Sequence, residues 1–230
     1  MKNVKAIIFD AYGTLFDVNS AAEKCKGKIG DKWEDFSNYW RTTQLEYTWV
    51  RSLMNRHKDF WQVTEDSLDK SMKAFKIDIS MRSELLDLYK ILSTFPEVKG
   101  VLNSLKEKNY KLAILSNGTP ALLNQLVKSN NLDDVFDDIF SIEEVGIFKP
   151  SSKVYDIPIK KYQIQKNDVV FLSANTWDIS GGGNYGYNTV WLNRNNNTFD
   201  NLDYKPQNQV KDLSEPVSYT HLTLPTILLV

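Results

Sequence analysis

Cysteine and histidine are nearly missing: the 230 residues contain one Cys and two His. Cys25 alone closes no internal disulfide, and with only His57 and His221 beside it the chain offers no Cys- or His-built metal site. An excess of one charge is missing too. The formal net charge of -1 excludes a general electrostatic grip on nucleic acid, although a local basic site stays open. No apolar run approaches the length of a spanning helix, and the one following Met1-Lys2-Asn3-Val4-Lys5 is too short for a secretory signal. The expectation is an unsecreted protein of the reducing cytoplasm, without membrane or nucleic-acid partners.

What the chain does have is a 42% hydrophobic content, enough to bury a sizeable core. Its length suggests one domain with an insertion, or two domains. Val4 to Phe9 reads as a buried strand that delivers Asp10 into the turn Ala11-Tyr12-Gly13-Thr14. From Val18 to Phe95 the pattern is helical. Leu45, Trp49, Leu53 and Met54 fall at helical spacing and suggest one apolar face, and further helices are expected at 64–76 and 80–94. The Phe95-Pro96 step ends that region.

Beyond it, strands and helices alternate. Helix is expected at 98–108, strand at 111–115, helix from Pro120 to about Asn130 and a weaker strand at 138–145. Helix then follows at 151–162, strand at 168–172, strand at 189–192 and a short closing strand in 209–216. Fully apolar strands separated by helices argue for a parallel sheet covered on both faces. A parallel crossover needs only about a dozen residues, so the stretch from Asp10 to Lys111 must hold an inserted helical cap. Asp10, Ser116-Asn117, Lys149 and Ser173 through Asp178 all stand just past strand ends or at helix starts. In an open sheet such positions converge on one crevice.

Taken singly, each residue has an ordinary reading. Asp10 can cap a turn, Asp178 can cap a helix, Lys149 can be a surface lysine and Arg41 a solvated charge. Leu45, Phe60 and Tyr155 can be core. A lysine at a helix start, however, is electrostatically misplaced unless an anion compensates it, and Asp10 is a candidate anion.

Together, Phe9-Asp10-Ala11-Tyr12-Gly13-Thr14-Leu15, Leu115-Ser116-Asn117-Gly118, Lys149-Pro150 and Ser173-Ala174-Asn175-Thr176-Trp177-Asp178 resemble the four motifs of the haloacid dehalogenase superfamily, in order. Trp40-Arg41, the segment 44–49, Tyr155 and Trp191-Leu192-Asn193-Arg194 resemble the L-2-haloacid dehalogenases within it. The resemblance implies an α/β fold with a Rossmann-like three-layer α/β/α core at 1–16 and 96–216, and an all-helical cap at 17–95. It implies Asp10 as nucleophile, Lys149 as its charge partner, and Asp178 as the base for ester hydrolysis with Ser173 and Asn175. Thr14 supports the turn. Ala11, Ser116 and Lys149 receive the substrate carboxylate, Arg41 and Asn117 the halide; Tyr12, Leu45, Phe60 and Trp177 surround the alkyl group, and Tyr155 bonds into the site.

Phosphatases of the superfamily carry a second Asp where this chain has Tyr12, and an acid-rich fourth motif that holds magnesium where it has Asp178 alone. A halide leaves without a proton, so Tyr12 argues for carbon–halogen chemistry with neither metal nor cofactor. The expected substrate is a short (S)-2-haloacid, converted with inversion to an (R)-2-hydroxyacid, and the resemblance adds a possible homodimer. A magnesium-dependent phosphatase or phosphomutase, or a catalytically idle binding protein, are the alternatives. Gly181-Gly182-Gly183 departs from the pattern, since relatives often carry a basic residue near Gly183, and suggests weak support under Asp178. Residues 217–230 have neither helical nor strand period and are expected to be a non-native or unstructured tail, or else a native one packed across a partner.

Overall fold

The first strand is β1 (Ala6–Phe9), buried at all four positions, which is why none of them is polar. It belongs to a computed structural model that describes residues 4–215, together with the backbone of an antiparallel pair, Ser218–Tyr219 and Leu222–Thr223. The rest of the expected tail at 217–230 lies outside the described residues.

After β1 come α1 (Ser20–Lys24), α2 (Lys26–Ile29), α3 (Trp33–Leu53), α4 (Phe60–Phe75) and α5 (Arg82–Tyr89). Then α6 (Val98–Glu107) leads to β2 (Lys111–Ser116), α7 (Pro120–Ser129) to β3 (Asp138–Ser141) and α8 (Ser152–Tyr162) to β4 (Val169–Ser173). The chain continues through α9 (Thr176–Tyr185) and β5 (Asn188–Leu192) to β6 (Asn208–Val210). These six strands pair in the order β3-β2-β1-β4-β5-β6, every pairing parallel.

The strand order reverses at β1, so the connections on its two sides diverge and open a crevice past its carboxyl end. Register sets what lines that crevice. Phe9 lies level with Ile114 of β2 and Leu172 of β4, so Asp10 emerges beside the ends of both strands. Thr119 caps α7 through the Leu122 amide, and Pro120 fills its first turn, where a missing N–H costs nothing.

Helices α1 to α5 form the expected insertion. Its two linkers lie side by side: Phe16 and Thr94 pair antiparallel, the Asp17 N–H donates to the Ser93 carbonyl at 2.8 Å, and the Phe95 N–H to the Leu15 carbonyl at 3.1 Å. The expected apolar face of α3 is corrected. Leu53 and Met54 are exposed, Leu45 and Trp49 half-buried, and the buried face carries Phe36, Ser37, Trp40, Thr43, Gln44 and Thr48. Small polar side chains bury here because they bond locally; the Thr48 hydroxyl, for example, donates to the Leu45 carbonyl at 2.6 Å.

Several boundaries differ as well. Helix α4 starts at Phe60 rather than Thr64, because the Asp59 carboxylate caps it through the Gln62 amide at 2.8 Å. Instead of one helix at 80–94, a 3-10 turn at Ile79–Met81 precedes α5, and the chain has left the helix by its linker residues 93–95. Strand β3 stops at Ser141, where a 3-10 turn takes over.

Candidate active site

Asp10 is 4% exposed, and each of its carboxylate oxygens is held differently. Oδ2 accepts from the Thr14 hydroxyl at 2.9 Å, the Ser173 hydroxyl at 3.3 Å and the Asn175 amide at 2.7 Å. Among the described residues, Oδ1 accepts only from the Lys149 ammonium, at 3.2 Å. The turn that carries Asp10 is closed by the Ala11 carbonyl, which accepts from the amides of Thr14, Leu15 and Phe16. Gly13 sits at φ +85°, a conformation open to glycine and strained for other residues.

Lys149 is buried and ordered at both ends. Its backbone N–H donates to the Asn117 side-chain oxygen at 3.1 Å, and its ammonium bridges Asp10 to the Asp178 Oδ2, 2.8 Å away. The Tyr155 hydroxyl donates to the other oxygen of Asp178 at 2.7 Å. Asp178 therefore sits in the first turn of α9 without serving as its cap, which falls at Asn175.

Burial fixes the protonation states. It pushes the Asp178 carboxyl up to about 6, with Lys149 pulling down and the Asp10 charge pushing further up. Burial alone would lower the Lys149 ammonium, but the facing carboxylates of Asp10 and Asp178 hold it above the ordinary lysine value. Burial also raises Tyr155 and Tyr12 well above the usual phenol range, so both keep their protons.

The glycine run is also corrected. Helix α9 continues through Gly181, Gly182 and Gly183, where Tyr155, Phe171 and Tyr204 occupy the space that side chains would need. The Tyr155 ring that carries the hydroxyl onto Asp178 rests directly on Gly181, so what reads as weak support is close contact.

From the cap, Arg41 on α3 reaches the Asp10 loop, donating to the Tyr12 carbonyl at 3.4 Å. Tyr12 lies between Phe60, 5.0 Å away by ring centroids, and Tyr89, stacked at 5.7 Å. Its buried hydroxyl has no partner among the described residues. Trp177 meets Trp49 edge to face at 5.5 Å, and both line an apolar groove of about 460 Å³ between insertion and sheet, with Leu53, Phe148 and Leu202. Ser116 accepts from the Gly118 amide at 3.1 Å in the loop after β2, and Leu45 is half-buried on α3 with no hydrogen-bonding role for its side chain. Among the described residues no three of His, Cys, Asp and Glu gather as a metal site.

A family model for haloacid dehalogenase-like hydrolases matches residues 4–186. The chain belongs to this family. An (S)-2-haloacid dehalogenase of Pseudomonas sp. (strain CBS-3) is 40% identical over 218 residues, covering 94% of this chain and 96% of its own. A solved dehalogenase structure superimposes with a TM-score of 0.91 at 36% identity, over 93% of this chain and 96% of that one. The L-2-haloacid dehalogenase from Xanthobacter autotrophicus, solved with chloropropionic acid covalently bound, gives 0.85 at 30% identity, over 91% and 95%.

This haloacid dehalogenase-like hydrolase also has a polar network in its cap that sequence reasoning missed. The Gln44 side-chain oxygen accepts from Arg41 at 3.0 Å, and its amide donates to Thr64 at 2.7 Å and to Tyr89 at 3.0 Å. The signal was a glutamine three residues after Arg41, hence on the same helix face.

Proposed function

We propose that the protein hydrolyses short (S)-2-haloalkanoic acids to (R)-2-hydroxyalkanoic acids and halide. The arrangement that carries this reading is Asp10 with one oxygen held by three donors and the other, among the described residues, facing Lys149 alone. Oδ1 attacks the carbon that bears the halogen, the carbon–halogen bond breaks, and halide departs toward Arg41 and Asn117. Inversion follows from attack opposite the leaving group.

The resulting ester has Oδ2 as its carbonyl oxygen. Asp178 takes a proton from water, and the hydroxide adds to the Asp10 carboxyl carbon. Thr14, Ser173 and Asn175 then stabilise the charge that develops on Oδ2. Collapse releases the 2-hydroxyacid, whose oxygen takes up the proton held by Asp178, and loss of the remaining water proton from the Asp10 carboxyl to solvent restores the carboxylate. The substrate carboxylate meets Ser116, the backbone after Asp10 beginning at Ala11, and the one Lys149 proton left after Asp10 and Asp178. Tyr12, Leu45, Phe60 and Trp177 enclose the alkyl group. Because the Lys149 ammonium already lies between the two carboxylates, a divalent ion has no pair of free carboxylates to hold there.

The same reading divides the chain into a core at 1–16 and 96–216 and a cap at 17–95, supported by the paired linkers. It places the protein in the cytoplasm. A homodimer would cover the exposed Val50 and Leu53 of α3 and Met54 just past its end, and sedimentation at micromolar concentration tests it. For the membrane, the finding is narrower: no helix among the described residues is long and apolar enough to cross one.

Halide release from L- and D-2-chloropropionate, with and without chelator, tests the activity. We expect release from the L form alone, unaffected by chelator and lost in Asp10→Asn. A single turnover in heavy-oxygen water should label Asp10, and label confined to the product would overturn the ester. Hydrolysis of a phosphate ester abolished by chelator would instead restore the phosphatase.

A further inference from the structure

We propose that Gln44 is the positioning residue that aims the Arg41 guanidinium at the departing halide and leaves its charge free to meet it. This rests on the reading of Arg41 as the halide cation. Gln44 is 1% exposed, and its carboxamide is bonded on both sides.

The amide has one allowed orientation. The Thr64 hydroxyl gives its single proton to the Phe60 carbonyl, 2.7 Å away, so toward Gln44 it can only accept. The NH₂ group must therefore face Thr64, and the oxygen must face Arg41. Tyr89, kept protonated by burial, bonds the same carboxamide and stacks on Tyr12. Trp40 donates to the Thr64 carbonyl at 3.1 Å and seats α3 on α4. Three cap helices thus converge on the orientation of one neutral amide.

Neutrality is what matters. Among the described residues, both acceptors that hold Arg41, the Gln44 oxygen and the Tyr12 carbonyl, are uncharged. A carboxylate in either place would hold the guanidinium as firmly but compensate its charge before halide forms. An amide fixes direction and leaves the charge for an anion.

Gln44→Glu, Gln44→Met and Thr64→Val test this, each checked for folding by thermal melting. Chloride-35 NMR line broadening on wild type and variants reads halide binding without turnover. In Gln44→Glu we expect excess broadening to vanish and kcat to fall about 10²-fold, as when one charge-stabilising donor is lost, with KM changed less. The ratio of kcat for 2-bromopropionate to that for 2-chloropropionate should rise several-fold, since the poorer leaving group depends more on Arg41. Gln44→Met should lose direction but keep charge and fall in between, and Thr64→Val should show the same signature more weakly. Folded Gln44 variants with wild-type broadening and a wild-type bromide-to-chloride ratio would overturn the inference. Wild-type protein that binds halide but releases none would sink the dehalogenase reading and with it the departing halide, while loss of broadening in the Gln44 variants would still show Gln44 positioning Arg41 for a bound anion.

Discussion

The sheet and the cap hold their charges in opposite ways. At the strand ends, Asp10, Lys149 and Asp178 form a chain of alternating charges, one ammonium shared by two carboxylates, with hydroxyl and amide donors around it, so each charge of the core has a partner within the core. In the cap, Arg41 is held by uncharged acceptors, and its charge is left over. A buried charge that is compensated can stay in place as machinery, whereas one held neutrally is free for an anion that comes and goes.

The most severe way to break the core side of this contrast is Lys149→Met. It leaves two buried carboxylates facing each other, and we expect loss of measurable turnover together with about 3–5 kcal/mol of stability, read by urea denaturation. Asp178→Asn should come next. It should release halide once per enzyme molecule and then stall, with steady-state kcat down about 10³-fold and an ester on Asp10 visible by mass spectrometry.

A milder change sharpens the contrast through pH. With Asp178 titrating at about 6 in the free enzyme, where the Asp10 charge is among the influences raising it, the rising limb of activity should lie at or below that value, as the base form appears on the esterified enzyme. Tyr155→Phe removes a hydrogen bond that favours the ionised form, so the rising limb should move to higher pH and kcat at neutrality fall about tenfold, the worth of one bond to a charged group. Stability should run the other way. The carboxyl is raised in the folded state, so between its ordinary value near 4 and about 6 the native protein holds a proton that the unfolded chain has released. This contribution to stability falls as pH rises across the window, and Asp178→Asn should lack it. The smallest effect belongs to the support: Gly183→Ala sets a methyl against the Tyr204 ring and should cost about 1–3 kcal/mol with kcat largely retained.

How legible each region was follows the same division. Strands β1, β2 and β4 are apolar runs ended by polar residues, so their ends, and with them Asp10, Ser116 and Ser173, could be read from the sequence, and Lys149 from its place ahead of α8. The cap could not be read so well, because hydropathy misjudges α3. Ser and Thr side chains that bond carbonyls of their own helix, as Ser71 does to Ser67 at 2.7 Å, bury as readily as apolar ones and let helices approach. Meanwhile Leu53 and Met54 face outward. Gln44 belongs to that hidden face, and its place in the segment 44–49 gave it no role of its own. The glycines of α9 misled for a related reason: propensity counts what they lack, while the rings of Tyr155 and Tyr204 use the space that lack creates.

The position of Lys149 also orders the two half-reactions in time. Before attack, one cation serves two anions, and the Asp10 charge is among the influences that keep Asp178 inclined to hold a proton. Esterification turns Asp10 neutral. Lys149 then faces a single carboxylate, and the push from Asp10 is gone. Asp178 is thus driven toward its ionised form at the moment a water must be activated, so the first bond made on Asp10 readies the group that will break it.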